Sequence, residues 1–255
     1  MPPTTRSKSP TRPALTLAID IGGSHLKAAV LGVEGEEAEG PLHVETPQPS
    51  SPSAVIAAVV ELVKPLGRFD RVSVGFPGVV RAGHVLTAPN LGTEEWRRFP
   101  LTAEFARSLG KPVRMLNDAS IQGLGVISGQ GQECVLTMGT GMGFAVFEDG
   151  RLGPHLEVSQ IPVKTGNTYD HYVGNAALRD IGVNHWNRRV RKVIAIMQVL
   201  VNFDVLYIGG GNARLIKPKL PDNVRLVPNE AGVTGGIRLW DKRMDVMFAE
   251  HPSFE

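Results

Sequence analysis

The chain of 255 residues carries 27 basic and 25 acidic side chains for a net charge of +2, with 42% hydrophobic and 20% charged residues. Charge this balanced excludes the broad basic surface of a general nucleic-acid binder, and the composition excludes a disordered or fibrous chain. No window approaches the ~18 apolar residues needed to cross a bilayer, and the length holds one large domain or two compact lobes of roughly 100 to 130 residues each.

Residues 1–14 contain Arg6, Lys8 and Arg12 but no apolar run, so they are expected to form a disordered tail and not the hydrophobic core of a secretory signal. The single cysteine, Cys134, leaves no intrachain disulfide and no multi-cysteine metal site, which fits a cytoplasmic protein.

The run from Leu15 to Asp20 reads as a buried strand stopping at a carboxylate and Gly22-Gly23, and Lys27 to Leu31 resumes it, so a β-hairpin is expected. Apolar residues at Val55, Ile56, Val59, Val60, Leu62 and Val63, with Pro52 ahead of them, predict a helix over 53–66. Arg71 to Phe76 alternates as a strand and ends at Pro77-Gly78. A helix over 102–109 and a strand over 113–116 follow, the strand ending at Asn117-Asp118, with a helix over 119–127 beyond it. Cys134 to Met138, the glycine turn 139–143 and Phe144 to Phe147 repeat the opening strand, turn and strand. One face of a later helix carries Trp186, Val190, Val193, Ile194, Met197 and Leu200, and Arg188, Arg189, Arg191 and Lys192 lie elsewhere around it. Val205 to Ile208 is a strand closing at Gly209-Gly210-Gly211-Asn212, and Gly235-Gly236 leads into a last helix over 237–240.

Three strands thus end at glycine-rich turns. Glycine lets backbone N–H groups approach an anion closely and tolerates positive φ, which suits phosphate, although any single Gly-Gly is as readily a plain hairpin turn. Phosphoryl transfer to a hydroxyl needs such anion cradles, a metal to spread charge and a carboxylate near the attacking oxygen. Asp118 supplies the carboxylate, its rival reading being a helix cap. Asp20 is a candidate for holding Mg²⁺ through water, or else a buried turn carboxylate. Asn90, Asn117, His155 and Glu157 offer further planar hydrogen-bonding groups beside Asp118.

The order DIGGSHLK, PGVV, PNLG with Trp96, LNDA, MGTGMGF and IGGGN resembles the ROK family of sugar kinases, within the actin-like ATPase superfamily, over about residues 15 to 240. The resemblance implies an α/β, two-lobed, ribonuclease-H-like fold with the active site in the cleft between a smaller lobe, 15–118, and a larger one, 119–255, whose last helix is free to pack back on the first. It implies a first phosphate loop with Asp20, Gly22, Gly23, Ser24 and Lys27 and a second with Gly139, Thr140, Gly141 and Gly143. Gly209, Gly210, Gly211 and Asn212 are then expected beside the nucleotide's adenosine part, Asp118 as the catalytic base, and Asn90, Asn117, Asp118, His155 and Glu157 as the groups that bind the sugar's hydroxyls.

Two departures matter. The family's ExGH motif aligns with 152–155, where Leu152 stands at the glutamate; His155 matches, and Glu157 is a displaced candidate, as in the GHLE segment of polyphosphate glucokinases. The CxCGxxGC zinc motif is absent, so no zinc is expected, and the chain resembles the zinc-less polyphosphate glucokinase branch more than the zinc-bearing kinases; Tyr169 to Tyr172 is a candidate replacement for the zinc loop. The implied reaction moves a phosphoryl group from ATP or polyphosphate, with Mg²⁺, to a hexose hydroxyl. Glucose is the first candidate, and mannose, fructose and a non-catalytic sugar sensor remain alternatives. The expected partners are the sugar and the donor, with neither nucleic acid nor membrane, and a homodimer remains open. A DNA-binding repressor is disfavoured because the basic tail is too short for a helix-turn-helix.

Overall fold

The computed structural model describes residues 12–164, 166–217, 219–228 and 231–249, with the side chains of 231–233 outside that description. Most of the expected tail therefore lies outside the described residues.

The first half forms strands β1 (Thr16–Ile21), β2 (His25–Leu31) and β3 (Glu37–Glu45), helix α1 (Pro52–Val63), strand β4 (Arg71–Phe76), helix α2 (Leu101–Leu109) and strand β5 (Val113–Asn117). Its sheet runs β3-β2-β1-β4-β5, antiparallel across the first three strands and parallel from β1 to β5. Helix α3 (Asp118–Val126) then leads to β6 (Gln132–Met138), β7 (Met142–Glu148) and β8 (Arg151–Leu152). Next come helices α4 (Tyr169–Val173) and α5 (Asn175–Val201), strands β9 (Val205–Gly209) and β10 (Val224–Leu226), and helix α6 (Ala231–Arg238). The second sheet runs β8-β7-β6-β9-β10 with the same alternation of antiparallel and parallel pairs. Two copies of one topology, joined through α3, make the two-lobed, ribonuclease-H-like architecture of actin-like ATPases.

Strand alternation sorts the cores. Leu17, Ile19 and Ile21 of β1 and Val72, Val74 and Phe76 of β4 face α1 and α2, whereas Ala18, Ser73 and Gly75 face inward. In the second sheet Cys134, Leu136 and Met138 face Trp186, Val190 and Met197 of α5, and Val135 and Phe147 turn toward Ile121 and Leu124 of α3. Helix α3 thus packs between the two sheets. Burying each large apolar side chain here contributes about 1.5–3 kcal/mol.

One expectation is corrected, that of the last helix, and two further features had no counterpart in the sequence reading. Strand β3 carried no sequence signal, because its nine residues EAEGPLHVE are almost all exposed and it forms by pairing with β2 at the sheet edge. The long helix begins at Asn175, with a break at Gly182 (φ 72°, ψ 162°) that interrupts the apolar period. The last helix, α6, ends at Arg238 and contains Gly235-Gly236 instead of following them. A Cβ on Gly235 would overlap the Ile121 carbonyl, and one on Gly236 would lie 3.5 Å from Ala18 and Ser73, so these glycines allow α6 to lie against both α3 and the first sheet. Ser73 then donates to the Gly236 carbonyl (2.5 Å) and accepts from the Trp240 indole (2.9 Å).

Candidate active site

Strand β5 ends at Asn117, whose side-chain oxygen accepts from the N–H groups of Ala119 (3.0 Å) and Ser120 (3.4 Å) and so caps α3. Its amide nitrogen donates to the carbonyls of Gly78 (3.2 Å) and Phe76 (3.5 Å), tying the Pro77-Gly78 loop to the same corner. Asn117 is buried and spends its polar atoms on backbone, fixing the start of the helix from the residue before Asp118. Asp118 is the first residue of α3, not its cap, and the expected helix starts one residue earlier than its sequence pattern suggested.

Burial pushes the Asp118 carboxyl up to about 7; the negative charges of Asp20 and Glu157 add to the rise, and the Ala119 N–H and His155 oppose it. These contributions bring Asp20, Asp118, His155 and Glu157 into one neighbourhood. Asp20 sits at the end of β1 opposite Lys27 and beside Gly75 of β4. Desolvation also raises Asp20, with Lys27 pulling it down, although the residue remains open to solvent at the strand end. His155 Nε2 and Glu157 Oε2 lie 3.3 Å apart, and Ser159 donates to Glu157 Oε1 (2.6 Å). Burial alone would raise Glu157, but the hydrogen bonds from His155 and Ser159 outweigh it and lower its pKa. Leu152 itself packs partly buried against the apolar cluster around Phe147.

The two glycine turns follow their strands as the pattern implied. In the first, the Gly22 N–H donates to the His25 carbonyl (2.9 Å), Thr46 donates to the Gly22 carbonyl (2.7 Å), and Gly23 backs against Asn90. In the second, the Gly139 N–H closes on the Gly141 carbonyl (3.0 Å) and the Gly143 N–H on Thr137 Oγ1 (3.0 Å). Among the described residues, the N–H groups of Gly23, Ser24, Thr140 and Gly141 donate to no protein acceptor, which leaves donors in both turns for an anion. The need for glycine here is close approach; of the glycines expected to bind phosphate or nucleotide, only Gly210 has positive φ (87°). The third turn touches the second: Asn212 donates to the Gly139 carbonyl (3.3 Å) and to Asn175 Oδ1 (2.7 Å).

Among the described residues no group of three or more His, Cys, Asp or Glu side chains is placed to hold a metal ion. A single carboxylate such as Asp20, accepting no hydrogen bond from the described residues and raised by burial, fits a Mg²⁺ ion that keeps most of its water. Two residues that sequence reasoning missed support the turns. Thr46 braces the first, and Asp170 accepts from the Met142 N–H (2.7 Å) in the second; Asp170 falls in the 169–172 segment considered for the zinc loop's place, but nothing in the sequence marked its contact with the turn. Of the four basic residues that the sequence singled out on α5, Arg189 is engaged with the Tyr172 carbonyl (3.0 Å) and ring, whereas Arg188, Arg191 and Lys192 are exposed.

A duplicated α/β pair of lobes, with glycine turns closing strands of both sheets and a carboxylate at the start of the helix that joins them, fits the actin-like ATPase class of phosphate-handling proteins. The ROK family model matches residues 16–154, more than half of the chain, and the protein belongs to the ROK family. Over 253 residues it is 29% identical to the polyphosphate glucokinase of Mycobacterium tuberculosis (strain CDC 1551 / Oshkosh), covering 92% of this chain and 94% of that protein. The inorganic polyphosphate/ATP-glucomannokinase of Arthrobacter sp. strain KM superposes with a TM-score of 0.79 at 28% identity, covering 88% of this chain and 97% of that one. A ROK family glucokinase from Streptomyces griseus shares the fold at 20% identity, with a TM-score of 0.71 over 89% of this chain and 99% of that one. No described helix is long and apolar enough to cross a membrane.

Proposed function

We propose that the protein is a cytoplasmic hexose kinase that transfers a phosphoryl group from ATP or polyphosphate to a sugar hydroxyl, with glucose as the main acceptor and glucose 6-phosphate as product. The observation that carries the reading is Asp118: a carboxylate raised to about 7, beside His155 and Glu157. The likeness along nearly the whole chain to a polyphosphate glucokinase and a polyphosphate/ATP-glucomannokinase supports both donors, and the latter keeps mannose as a second acceptor.

In this mechanism His155, Glu157 and Asn90 hold sugar hydroxyls, and Asn117 fixes the helix start that aims Asp118 at the reacting one. The free N–H groups of the two glycine turns hold phosphate oxygens, with Lys27 and Ser24 at the edge of the first turn and Gly210, Gly211 and Asn212 toward the distal part of a nucleotide. Asp118 accepts the hydroxyl proton as the oxygen bonds to the terminal phosphorus. The bond from that phosphorus to the bridging oxygen breaks, and its electron pair leaves with the shortened donor. Mg²⁺ near Asp20 would neutralise charge on the phosphates.

The test is a matrix of glucose, mannose, fructose and N-acetylmannosamine against ATP and polyphosphate, each with Mg²⁺ and purified protein. Glucose phosphate is expected with at least one donor. Sugar binding without product from any pair overturns the reading in favour of a sensor.

A further inference from the structure

The second glycine turn is joined to the His155–Glu157 pair by an unbroken line of hydrogen bonds. Asp170, on the short helix α4, accepts the Met142 N–H through Oδ1 (2.7 Å) and the Gln160 amide through Oδ2 (2.8 Å). The same Gln160 amide nitrogen donates to Ser159 Oγ (3.2 Å), Ser159 donates to Glu157 Oε1 (2.6 Å), and Glu157 Oε2 meets His155 Nε2 (3.3 Å). Donors and acceptors are consistent along the line: Gln160 spends its two amide hydrogens on two oxygens that belong to opposite ends of the site.

The turn is shaped around Asp170. A Cβ on Gly141 would overlap the Asp170 carboxylate, and one on Gly174, just after α4, would overlap the Thr140 and Asp170 carbonyls. The Asn175 N–H reaches the carbonyls of Gly139 (3.0 Å) and Thr140 (3.2 Å). With Met142 held by Asp170 and Gly143 by Thr137, the donors left in the turn are Thr140 and Gly141, so Asp170 helps decide where those two N–H groups point. Asp170 also feels the charge of Glu157, which adds to the effect of burial in raising its carboxyl.

We propose that Asp170 is a positioning residue that sets the second glycine turn for the phosphoryl donor and, through Gln160 and Ser159, makes that setting respond to a sugar held by His155 and Glu157. The role rests on the assignment of the sugar to those two residues. A sugar hydroxyl bonded to Glu157 redistributes the hydrogen bonds that Glu157 shares with Ser159, and the change reaches the Met142 N–H through three side chains, Ser159, Gln160 and Asp170. Networks of this kind couple binding sites, typically by about 5- to 150-fold in affinity.

The test uses the full chain and three variants: Asp170→Ala, Asp170→Asn and Gln160→Ala. Calorimetry gives the dissociation constant for glucose alone and for a non-hydrolysable ATP analogue with and without glucose, and hydrogen exchange is followed at peptides spanning 139–143. In the wild type, glucose is expected to tighten analogue binding at least fivefold, the lower end of typical coupling, and to slow exchange in the turn. Asp170→Ala is expected to weaken the analogue and speed exchange with or without glucose while leaving glucose affinity within about twofold, a range set by the absence of any contact with His155 or Glu157. Gln160→Ala, at an exposed side chain, is expected to keep analogue affinity in the absence of glucose and lose the glucose effect.

Asp170→Asn, which keeps an acceptor for Met142, is expected to rescue most of the alanine loss and serves as the folded comparison. Glucose affinity falling in Asp170→Ala with the analogue unaffected would make Asp170 a sugar contact and overturn the proposal. Exchange in the turn that ignores glucose in the wild type, or a glucose effect that survives Gln160→Ala, overturns it as well. Failure of turnover with normal coupling would instead count against the kinase reading alone.

Discussion

Asp118 and Asp20 stand at the ends of β5 and β1, with Gly75 of the intervening β4 between them, and each carboxyl is raised above its ordinary value. A Cβ on Gly75 would lie 3.6 Å from Asp20 Oδ1 and 3.7 Å from Ile121, in ordinary contact with both β1 and α3. Burial sets the Asp118 shift, and Asp20 adds to it by disfavouring a second negative charge nearby. The result is a carboxylate basic enough to take a proton from a hydroxyl at neutral pH, which an ordinary aspartate does poorly.

Asp118→Asn is expected to fold and bind sugar but lose about 10²- to 10⁴-fold in turnover, the scale of general-base catalysis. In the wild type, the logarithm of kcat/KM should climb with pH and level off above about 7, because the base must be deprotonated. A profile flat from pH 5 to 8 would remove Asp118 from that role.

The same shift has a stability consequence of opposite sense. A carboxyl whose folded pKa lies above its unfolded value of 3.8 contributes most below about pH 4 and loses that contribution as pH rises to about 7. Asp118→Asn is therefore expected to melt higher than wild type at pH 8, with the gap closing toward pH 4. Calorimetric scans across that range check it, and a gap that widens on acidification would contradict the assigned shift.

Asn117→Ala removes the cap of α3 and the tether to Gly78 together. The loss in unfolding free energy should be about 2 kcal/mol, at the upper end of cap deletions because buried backbone groups lose partners. Turnover should fall as well, since Asp118 starts the uncapped helix. Urea melts indistinguishable from wild type would show that the cap is dispensable.

Gly235→Ala inverts the usual rule. In an exposed helix interior this exchange stabilises by about 1 kcal/mol, but here the new methyl group meets the Ile121 carbonyl on α3. A loss of about 1–3 kcal/mol is expected, as for overpacked cores. Stabilisation instead would mean that α6 does not lie as close to α3 as described.

Periodicity and turn chemistry made most of the architecture legible in the chain itself. The hairpin at Gly22-Gly23, the strand 71–76 and the strand ending at Asn117-Asp118 declare themselves through local patterns of burial, and so do the positions of Asp20, Asp118 and the glycine turns. Strand β3 was invisible because an exposed edge strand has no apolar alternation to read, and Gly235-Gly236 resembled a turn because a close helix crossing leaves the same mark in sequence. The roles of Asp170 and Thr46 were equally silent, since each acts on a backbone group remote in the chain, and Gln160 acts on a side chain that only the fold brings to it.

The amino-acid sequence by itself determined which groups can do the chemistry: an aspartate after a buried strand, glycines where backbone must approach an anion, a histidine and a glutamate two residues apart. These are local properties, written in residue type and spacing. Only the tertiary structure decided how they act together, because burial and charge depend on neighbours brought from distant strands. Packing between two sheets raises Asp118, Asn117 caps the helix that Asp118 begins, and a hydrogen-bonded line from Asp170 joins the glycine turn to the His155–Glu157 pair, with Asp170 lying 28 residues from Met142.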